Sequence, residues 1–142
     1  MAKRYTNTFF TEVMSYVTKL NTPVILRADL NFLGESRQVS RAIKALIEEG
    51  KLIKIGYGIY VKAKRTPYSE KPVMEITLPE ACAQAFERLN IQWEPGNAIK
   101  EYNEGRTQQV PAQYVMRLKD RYRGRIGYGK QQILFEDQIN AR

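Results

Sequence analysis

A basic segment between residues 37 and 49 carries the side chains best suited to bind another molecule. Its apolar residues recur at helical spacing. Removing them leaves an outward set of Arg37, Gln38, Ser40, Arg41, Lys44, Ala45 and Glu48. Arginine can bind guanine through two hydrogen bonds, and glutamine can bind adenine through its amide. The cationic and amide residues come first, so the N-terminal half of a helix here is expected to meet base edges in a DNA major groove. An ordinary solvated helix face is the alternative.

A second group of polar residues lies in a predicted hairpin and just before and after its strands. Its members are Lys51, Lys54, Tyr57, Lys62, Lys64 and Arg65. Lysine acts as a point charge toward phosphate, so Lys54, Lys62 and Lys64 are predicted to contact a DNA backbone. Tyr57 either hydrogen-bonds a phosphate or only caps the hairpin. Lys3 and Arg4 form a short basic arm of the kind that can enter a minor groove.

A third basic group lies near the end of the chain. It contains Arg117, Lys119, Arg121, Arg123, Arg125 and Lys130, interrupted by Asp120. Alternation at residues 121, 123 and 125 predicts one face of a strand, with Tyr122, Gly124 and Ile126 on the other. This surface would bind phosphate, dock an acidic protein or remain solvated, and the sequence does not distinguish these three.

The elements that would position the first two groups can be predicted from periodicity and turn residues. A helix is expected from Thr8 to Leu20, ended by the approach of Pro23. A short strand at 24–26 and one or two helical turns at 27–32 follow. The next helix runs from Arg37 to Glu49, with Ser36 as its N-cap and Gly50 at its end.

The hairpin completes this arrangement. Two β-rich runs at 52–55 and 59–61 are joined by Gly56, Tyr57 and Gly58, and glycine supplies the positive φ of tight turns. This order of elements is that of a winged helix-turn-helix: a helix, a strand, a short helix, a second helix and a hairpin. The first domain is therefore predicted to span residues 1–66, with the hairpin as the wing.

A small α+β module is predicted over residues 73–142, after a polar connector. Pro79 suits the first turn of a helix that ends near Leu89, and Pro95 is expected to begin a short helix toward Tyr102. Strands are predicted at 114–118, 123–128 and 132–135. Cys82 lies among alanines and is expected to pack in the core.

Composition narrows the classes of function. Residues 1–65 hold 12 Lys/Arg and 5 Asp/Glu, a net charge of +7, whereas residues 66–142 carry a net +1. This asymmetry favours a polyanionic partner for the first half. The chain has no histidine and one cysteine, so the common nucleophile–base pairs and metal-ligand sets are lacking, and no enzyme activity, metal or cofactor is predicted. The sequence has no apolar stretch of roughly 20 residues, the length needed to span a bilayer, and no secretory leader is apparent. No membrane partner and a cytoplasmic location are therefore expected.

Two segments carry a resemblance to a known family. Residues 39–60 form a helix ending in leucine, a glycine, a hydrophobic and basic strand, and then glycine, isoleucine and tyrosine. This run resembles the winged helix of antitoxins from type IV toxin–antitoxin (abortive-infection E) systems. Residues 103–111, which include Thr107, Gln109, Val110 and Pro111, are similar to the Thr-x-Gln-Val-Pro segment of short relatives of those antitoxins.

The resemblance implies an N-terminal winged helix that binds an operator and a C-terminal region that counters a toxin. Many members repress their own operon. Arg37, Gln38, Arg41, Lys44 and the hairpin lysines would then bind the operator, and the second half would form a homodimer or bind a cognate toxin. The chain is short for the family, which puts a full toxin-neutralising domain in doubt.

Two classes of function follow from the sequence. The first is a sequence-specific, double-stranded-DNA-binding regulator, an antitoxin-like autorepressor of a toxin–antitoxin or phage-defence operon. The second is a protein-binding immunity or antitoxin module in which the winged helix is only a scaffold. The basic helix and hairpin favour the first class.

Overall fold

The chain has a mixed α+β fold that divides into two compact units, residues 1–76 and 77–142. The computed structural model describes residues 8–96, 105, 114–122 and 124–136. No helix within these described ranges is long and apolar enough to cross a bilayer. The predicted arm at Lys3 and Arg4 lies outside the described residues, as does the 103–111 motif apart from Gly105.

The first unit places two α-helices on an antiparallel sheet. The helices are α1 (Thr8–Lys19) and α2 (Ser36–Glu48), and the strands are β1 (Val24–Leu26), β2 (Leu52–Gly56), β3 (Ile59–Lys64) and β4 (Val73–Met74). Two short 3₁₀ turns, Arg27–Asp29 and Asn31–Leu33, connect β1 to α2. Strand β3 is central: it pairs with β1 and β2, and its last residues pair with β4. Because β4 belongs to this sheet, the first unit continues past residue 66, the predicted end of the first domain.

The core of the first unit fixes which face of α2 points outward. Val39, Ala42, Ile43 and Leu46 are buried, together with residues of α1 and with Ile25, Leu52 and Tyr60 of the sheet. Burying an aliphatic side chain of this size contributes about 1.5–3 kcal/mol. Ala45, predicted to face outward, is buried at 2% exposure. That prediction is wrong because an alanine on the flank of an apolar stripe is small enough to join the core.

The start of α2 differs from the prediction that Ser36 is its N-cap. Glu35 is the N-cap, with an extended backbone, and its N–H donates to Oε1 of Gln38 at 3.2 Å. A glutamine at the third helical position can satisfy the N-cap amide in this way, so Ser36 becomes the first helical residue. At the other end Gly50 adopts φ +80°, as predicted for the residue that ends the helix.

The second unit packs one helix against a four-stranded sheet within its described residues. The elements are α3 (Leu78–Arg88), β5 (Trp93–Pro95), β6 (Tyr114–Leu118), β7 (Ile126–Tyr128) and β8 (Gln131–Glu136). The sheet order is β5-β6-β8-β7, with β6 and β8 parallel and the other pairs antiparallel. Pro95, predicted to begin a helix toward Tyr102, instead ends an edge strand, and residues 97–102 lie outside the described residues. An edge strand tolerates proline because one side of it needs no ladder donor.

The core of the second unit contains Cys82 and a group of aromatic rings. Phe86 of α3 lies 5.0 Å from Tyr122 and 5.7 Å from Phe135 between ring centroids. Cys82 is fully buried, and burial raises the pKa of its thiol to about 12. Its predicted place in the core is confirmed, and the thiol stays protonated near neutral pH.

Candidate nucleic-acid interface

The outward face of α2 carries a row of cations. Arg37, Ser40, Arg41 and Lys44 are all exposed, as is Gln38, whereas Val39, Ala42 and Ile43 are buried. Residues 37, 41 and 44 are separated by four and three positions, so their side chains lie above one another along the helix. The packing of the inner face therefore presents these three cations on one line.

The tip of the β2–β3 hairpin is anchored to the chain segment that precedes α2. Tyr57 and Gly58 form the turn, Gly58 has φ +70°, and Tyr57 is 89% exposed. The N–H of Arg27 donates to the carbonyl of Gly58 at 2.8 Å. The backbone of the hairpin tip is thus tied to the first 3₁₀ turn.

The side chain of Arg27 continues this connection to α2. Its Nε donates to Oδ1 of Asn31 at 3.1 Å and its Nη1 donates to Oγ of Ser40 at 3.2 Å. Its Nη2 donates to the carbonyl and hydroxyl oxygens of Ser36 at 3.1 and 3.2 Å. The planar guanidinium thereby links the hairpin tip, the 3₁₀ turns and the first turn and a half of α2.

Sequence reasoning did not single out Arg27 as functional. It treated the residue only as the start of a short helical segment. An arginine that follows a strand has no periodic partner in the sequence, and its contacts with residues 36 and 40 depend on how the turns fold back. The only sequence signal was the coincidence of arginine with a break between two predicted elements.

Tyr60 and Lys54 lie on the same face of the hairpin as this cluster. They are opposite each other in the β2–β3 ladder, so their side chains leave the same face. Tyr60 is buried, and burial raises the pKa of its phenol, an effect that the Arg27 charge opposes and the Tyr57 phenol reinforces. These couplings indicate that the side chains of Arg27, Tyr57 and Tyr60 lie near one another. Lys54 is exposed on the strand position opposite Tyr60.

Three residues predicted to bind a partner are engaged in holding the helices. Lys62 is half-buried, and its Nζ donates to the carbonyl of Leu20, just after α1, at 2.6 Å. Arg65 donates from Nη2 to the carbonyl of Glu48 at 3.2 Å. Cations at helix C-termini interact favourably with the helix dipole. The amide oxygen of Gln38 accepts from Glu35, whereas bidentate binding of adenine would need both atoms of that amide.

The lysines of the hairpin strands differ in how exposed their side chains are. Lys54 and Lys64 are exposed on β2 and β3. Lys64 and half-buried Lys62 therefore lie two positions apart on one strand with different environments. Only the exposed lysine is well placed to meet a second molecule.

The predicted basic strand at 121–125 is wrong. Arg121 and Arg125 are exposed in the loop before β7, which begins at Ile126, and Arg123 lies outside the described residues. The loop forms because Tyr122 packs between Phe86 and Phe135 instead of alternating along a strand. Arg117 is half-buried on β6, with Nη1 3.7 Å from Oε2 of Glu94 on the neighbouring strand. Lys119 is exposed after β6, so the described members of the group do not share a strand face.

An open cleft of about 680 Å³ lies in the second unit, beside the end of α3. Its lining includes Trp93, the amide residues Gln84 and Gln92, and the oppositely charged Glu87 and Lys119. Asn90, at φ +61°, ends the helix there, and Ile91 N–H closes the turn on the carbonyl of Phe86 at 2.9 Å. The lining of this cleft is therefore mixed, with polar, charged and aromatic residues.

No family profile matches the chain, and no curated protein matches it closely enough to indicate a relative.

Proposed function

We propose that the protein is a sequence-specific DNA-binding transcriptional regulator whose first unit is a winged helix-turn-helix. The 3₁₀ turns and α2 form the helix-turn-helix, and the β2–β3 hairpin forms the wing. The observation that carries the proposal is the link made by Arg27 between the exposed tip of the hairpin and the cationic face of α2. A DNA duplex that received α2 in its major groove would meet the hairpin on the adjacent backbone.

The dimensions and charge of α2 support this proposal. A helix of 13 residues is about 20 Å long, and a major groove about 12 Å wide admits a helix. Residues 1–65 carry a net +7, which suits a polyanion. The buried inner face leaves the cations of α2 pointing outward without a conformational change.

The contacts divide into two kinds under this proposal. Arg37 and Arg41 on α2 read base edges, since arginine can bind guanine through two donors. Lys44, Lys54 and Lys64 bind phosphates, and Tyr57 hydrogen-bonds the backbone at the hairpin tip. Lys62, Arg65 and Gln38 hold the helices in place and are not in direct contact with bases.

The second unit is proposed to bind protein, either a second copy of the chain or a cognate toxin. Its net charge is small, and burial keeps its single thiol protonated, so this thiol is not an activated nucleophile. A homodimer would place two α2 helices about 34 Å apart on a palindromic operator. With the resemblance to type IV antitoxins, this supports an autorepressor of a toxin–antitoxin or phage-defence operon.

The proposal is tested by salt-dependent DNA binding of the full chain. The probes are the DNA upstream of its own gene and duplexes recovered from a randomised library, each at 50 and 200 mM salt. If about six phosphates are neutralised, affinity should fall about a thousandfold between these concentrations. Affinity indifferent to salt, or no binding at 50 mM, would contradict the proposal and leave the protein-binding scaffold as the better account.

A further inference from the structure

We infer that Arg27 is a positioning residue for sequence discrimination: it sets the orientation of α2 relative to the hairpin tip, so that base contacts and backbone contacts form together. This inference rests on the proposed function and assigns a role within it. Arg27 would act through Ser36, Ser40 and Gly58, and direct base contact by Arg27 is not required.

Two contacts one helical turn apart give Arg27 control over the rotation of α2. Ser36 and Ser40 are separated by four residues and lie on the same side of the helix. Nη1 holds the hydroxyl of Ser40 and Nη2 holds that of Ser36, each at 3.2 Å. A single contact would fix only a distance, whereas two along the axis also fix which side of the helix faces the turn.

Arg27 is also held at the hairpin tip and in the second 3₁₀ turn. The backbone of Arg27 is bonded to Gly58 at the hairpin tip, and Nε is held by Asn31 in the second 3₁₀ turn. A Cβ at position 58 would lie 3.6 Å from Cβ of Arg27, which shows how closely the two chain segments pass. A displacement of Arg27 would therefore move the hairpin tip and the start of α2 relative to each other.

Stabilisation of α2 does not explain a guanidinium at this place. The N-terminus of a helix carries partial positive charge, and a cation there is disfavoured. The first turn of α2 contains Arg37 and no acidic residue, and the N-cap Glu35 is acidic, so Arg27 adds a second cation at an end that has one carboxylate at its cap. Binding of DNA phosphates at the same turn would offset that repulsion, which makes the arrangement favourable in the complex.

Lysine cannot replace arginine in this role. All three guanidinium nitrogens of Arg27 are used, on three different residues, in one plane. The ammonium group of a lysine is a compact point charge and cannot span these acceptors at once. Arg27→Lys therefore removes the positioning contacts and keeps the charge.

The experiment measures discrimination by full-length variants. The probes are a duplex recovered from a randomised library by the wild-type protein and an alternating inosine–cytosine polymer duplex. For Arg27→Lys we expect affinity for the selected duplex to fall about tenfold or more, the loss that one misplaced base contact produces. Affinity for the polymer duplex and its salt dependence should stay unchanged, because the charge is retained.

Two further variants keep the test decisive. Asn31→Ala removes only the Nε partner at an exposed position, so it should fold and show a smaller loss of the same kind. Arg65→Lys is the matched control, because Arg65 holds the opposite end of α2 through the carbonyl of Glu48. It should leave discrimination intact. Thermal unfolding of each variant reports whether it is folded at the temperature of the binding assay.

The opposing outcomes are distinct. Unchanged discrimination in Arg27→Lys and Asn31→Ala, or an equal loss in Arg65→Lys, would overturn the inference while DNA binding itself survived. Equal weakening of Arg27→Lys on both duplexes would show that Arg27 binds phosphate directly, which also overturns it. A wild-type protein that binds neither duplex would refute the proposed function, and this inference with it.

Discussion

Each unit packs at least one helix against a sheet, yet the two units present their cations in different ways. In the first unit, Arg37, Arg41 and Lys44 stand on a helix whose opposite face is locked in the core. In the second, Arg121 and Arg125 lie in a loop and Arg117 is close to Glu94. The second cluster is the more basic in the sequence, because residues 117–130 hold six Lys/Arg and one Asp whereas residues 37–49 hold three Lys/Arg and two Glu. The difference shows that a run of cations forms a shared surface only where buried neighbours fix the direction of each side chain.

Charge reversal gives the most direct test of this comparison and the largest expected effect. Arg37→Glu combined with Arg41→Glu should weaken DNA binding by at least about a thousandfold, because two base-reading groups are lost and phosphates are repelled. Arg121→Glu combined with Arg125→Glu changes net charge equally and should change affinity less than about threefold. Gel shift on one duplex measures both. Similar losses in the two double variants would mean that net charge, and not the surface of α2, governs binding.

Truncation of one buried residue in each unit separates stability from binding. Leu46→Ala and Met116→Ala remove side chains that are 1% and 0% exposed, and each should lower the free energy of unfolding by about 2–5 kcal/mol. Only Leu46→Ala should also weaken DNA binding, since Leu46 holds the inner face of α2. Denaturant unfolding and binding at equal folded fraction give the two values. Loss of binding in Met116→Ala would contradict the assignment of DNA contact to the first unit.

The sequence was sufficient to predict the structure where a stripe of buried residues repeats over several turns. Except at Ala45, the two faces of α2 follow from Val39, Ala42, Ile43 and Leu46, and the hairpin follows from its β-rich runs and Gly58. It was insufficient where one tertiary contact decides the outcome. Tyr122 packs on Phe86 and so prevents a strand at 121–125, and two paired residues at 73–74 are too few to show a period.

The residues of the candidate site divide in the same way, into those that the sequence could predict and those that it could not. Exposed cations on α2 could be predicted because helical spacing alone turns them outward. The engagement of Lys62 with Leu20 and of Arg27 with Ser36 and Ser40 could not, because each joins segments that meet only after folding. Polar contacts between distant segments leave no periodic trace in a sequence.

Within the first unit, the proposal separates a residue that reads bases from one that binds phosphate. Arg41→Ala should cost about 1–3 kcal/mol of discrimination between a selected duplex and random DNA. Lys54→Ala should weaken both duplexes similarly, because phosphates carry no direct sequence information. Competition binding with both duplexes measures the two variants. An equal loss on both duplexes for Arg41→Ala would mean that α2 does not read bases.

The smallest expected effect lies on strand β3, where two lysines two positions apart have different surroundings. Lys64 is exposed, so Lys64→Met should remove one phosphate contact and reduce the salt dependence of binding by about one released ion. Its effect on stability should be below about 0.5 kcal/mol, as for surface substitutions in general. Lys62 instead donates to the carbonyl of Leu20 at 2.6 Å, beside the end of α1. Lys62→Met should leave the salt dependence unchanged and lower the free energy of unfolding by about 1 kcal/mol, because that carbonyl loses a charged donor. Binding isotherms at several salt concentrations and urea unfolding resolve the pair. If Lys62→Met reduces the salt dependence as much as Lys64→Met, the ammonium of Lys62 leaves Leu20 for DNA, and burial on this strand does not separate structural from binding cations.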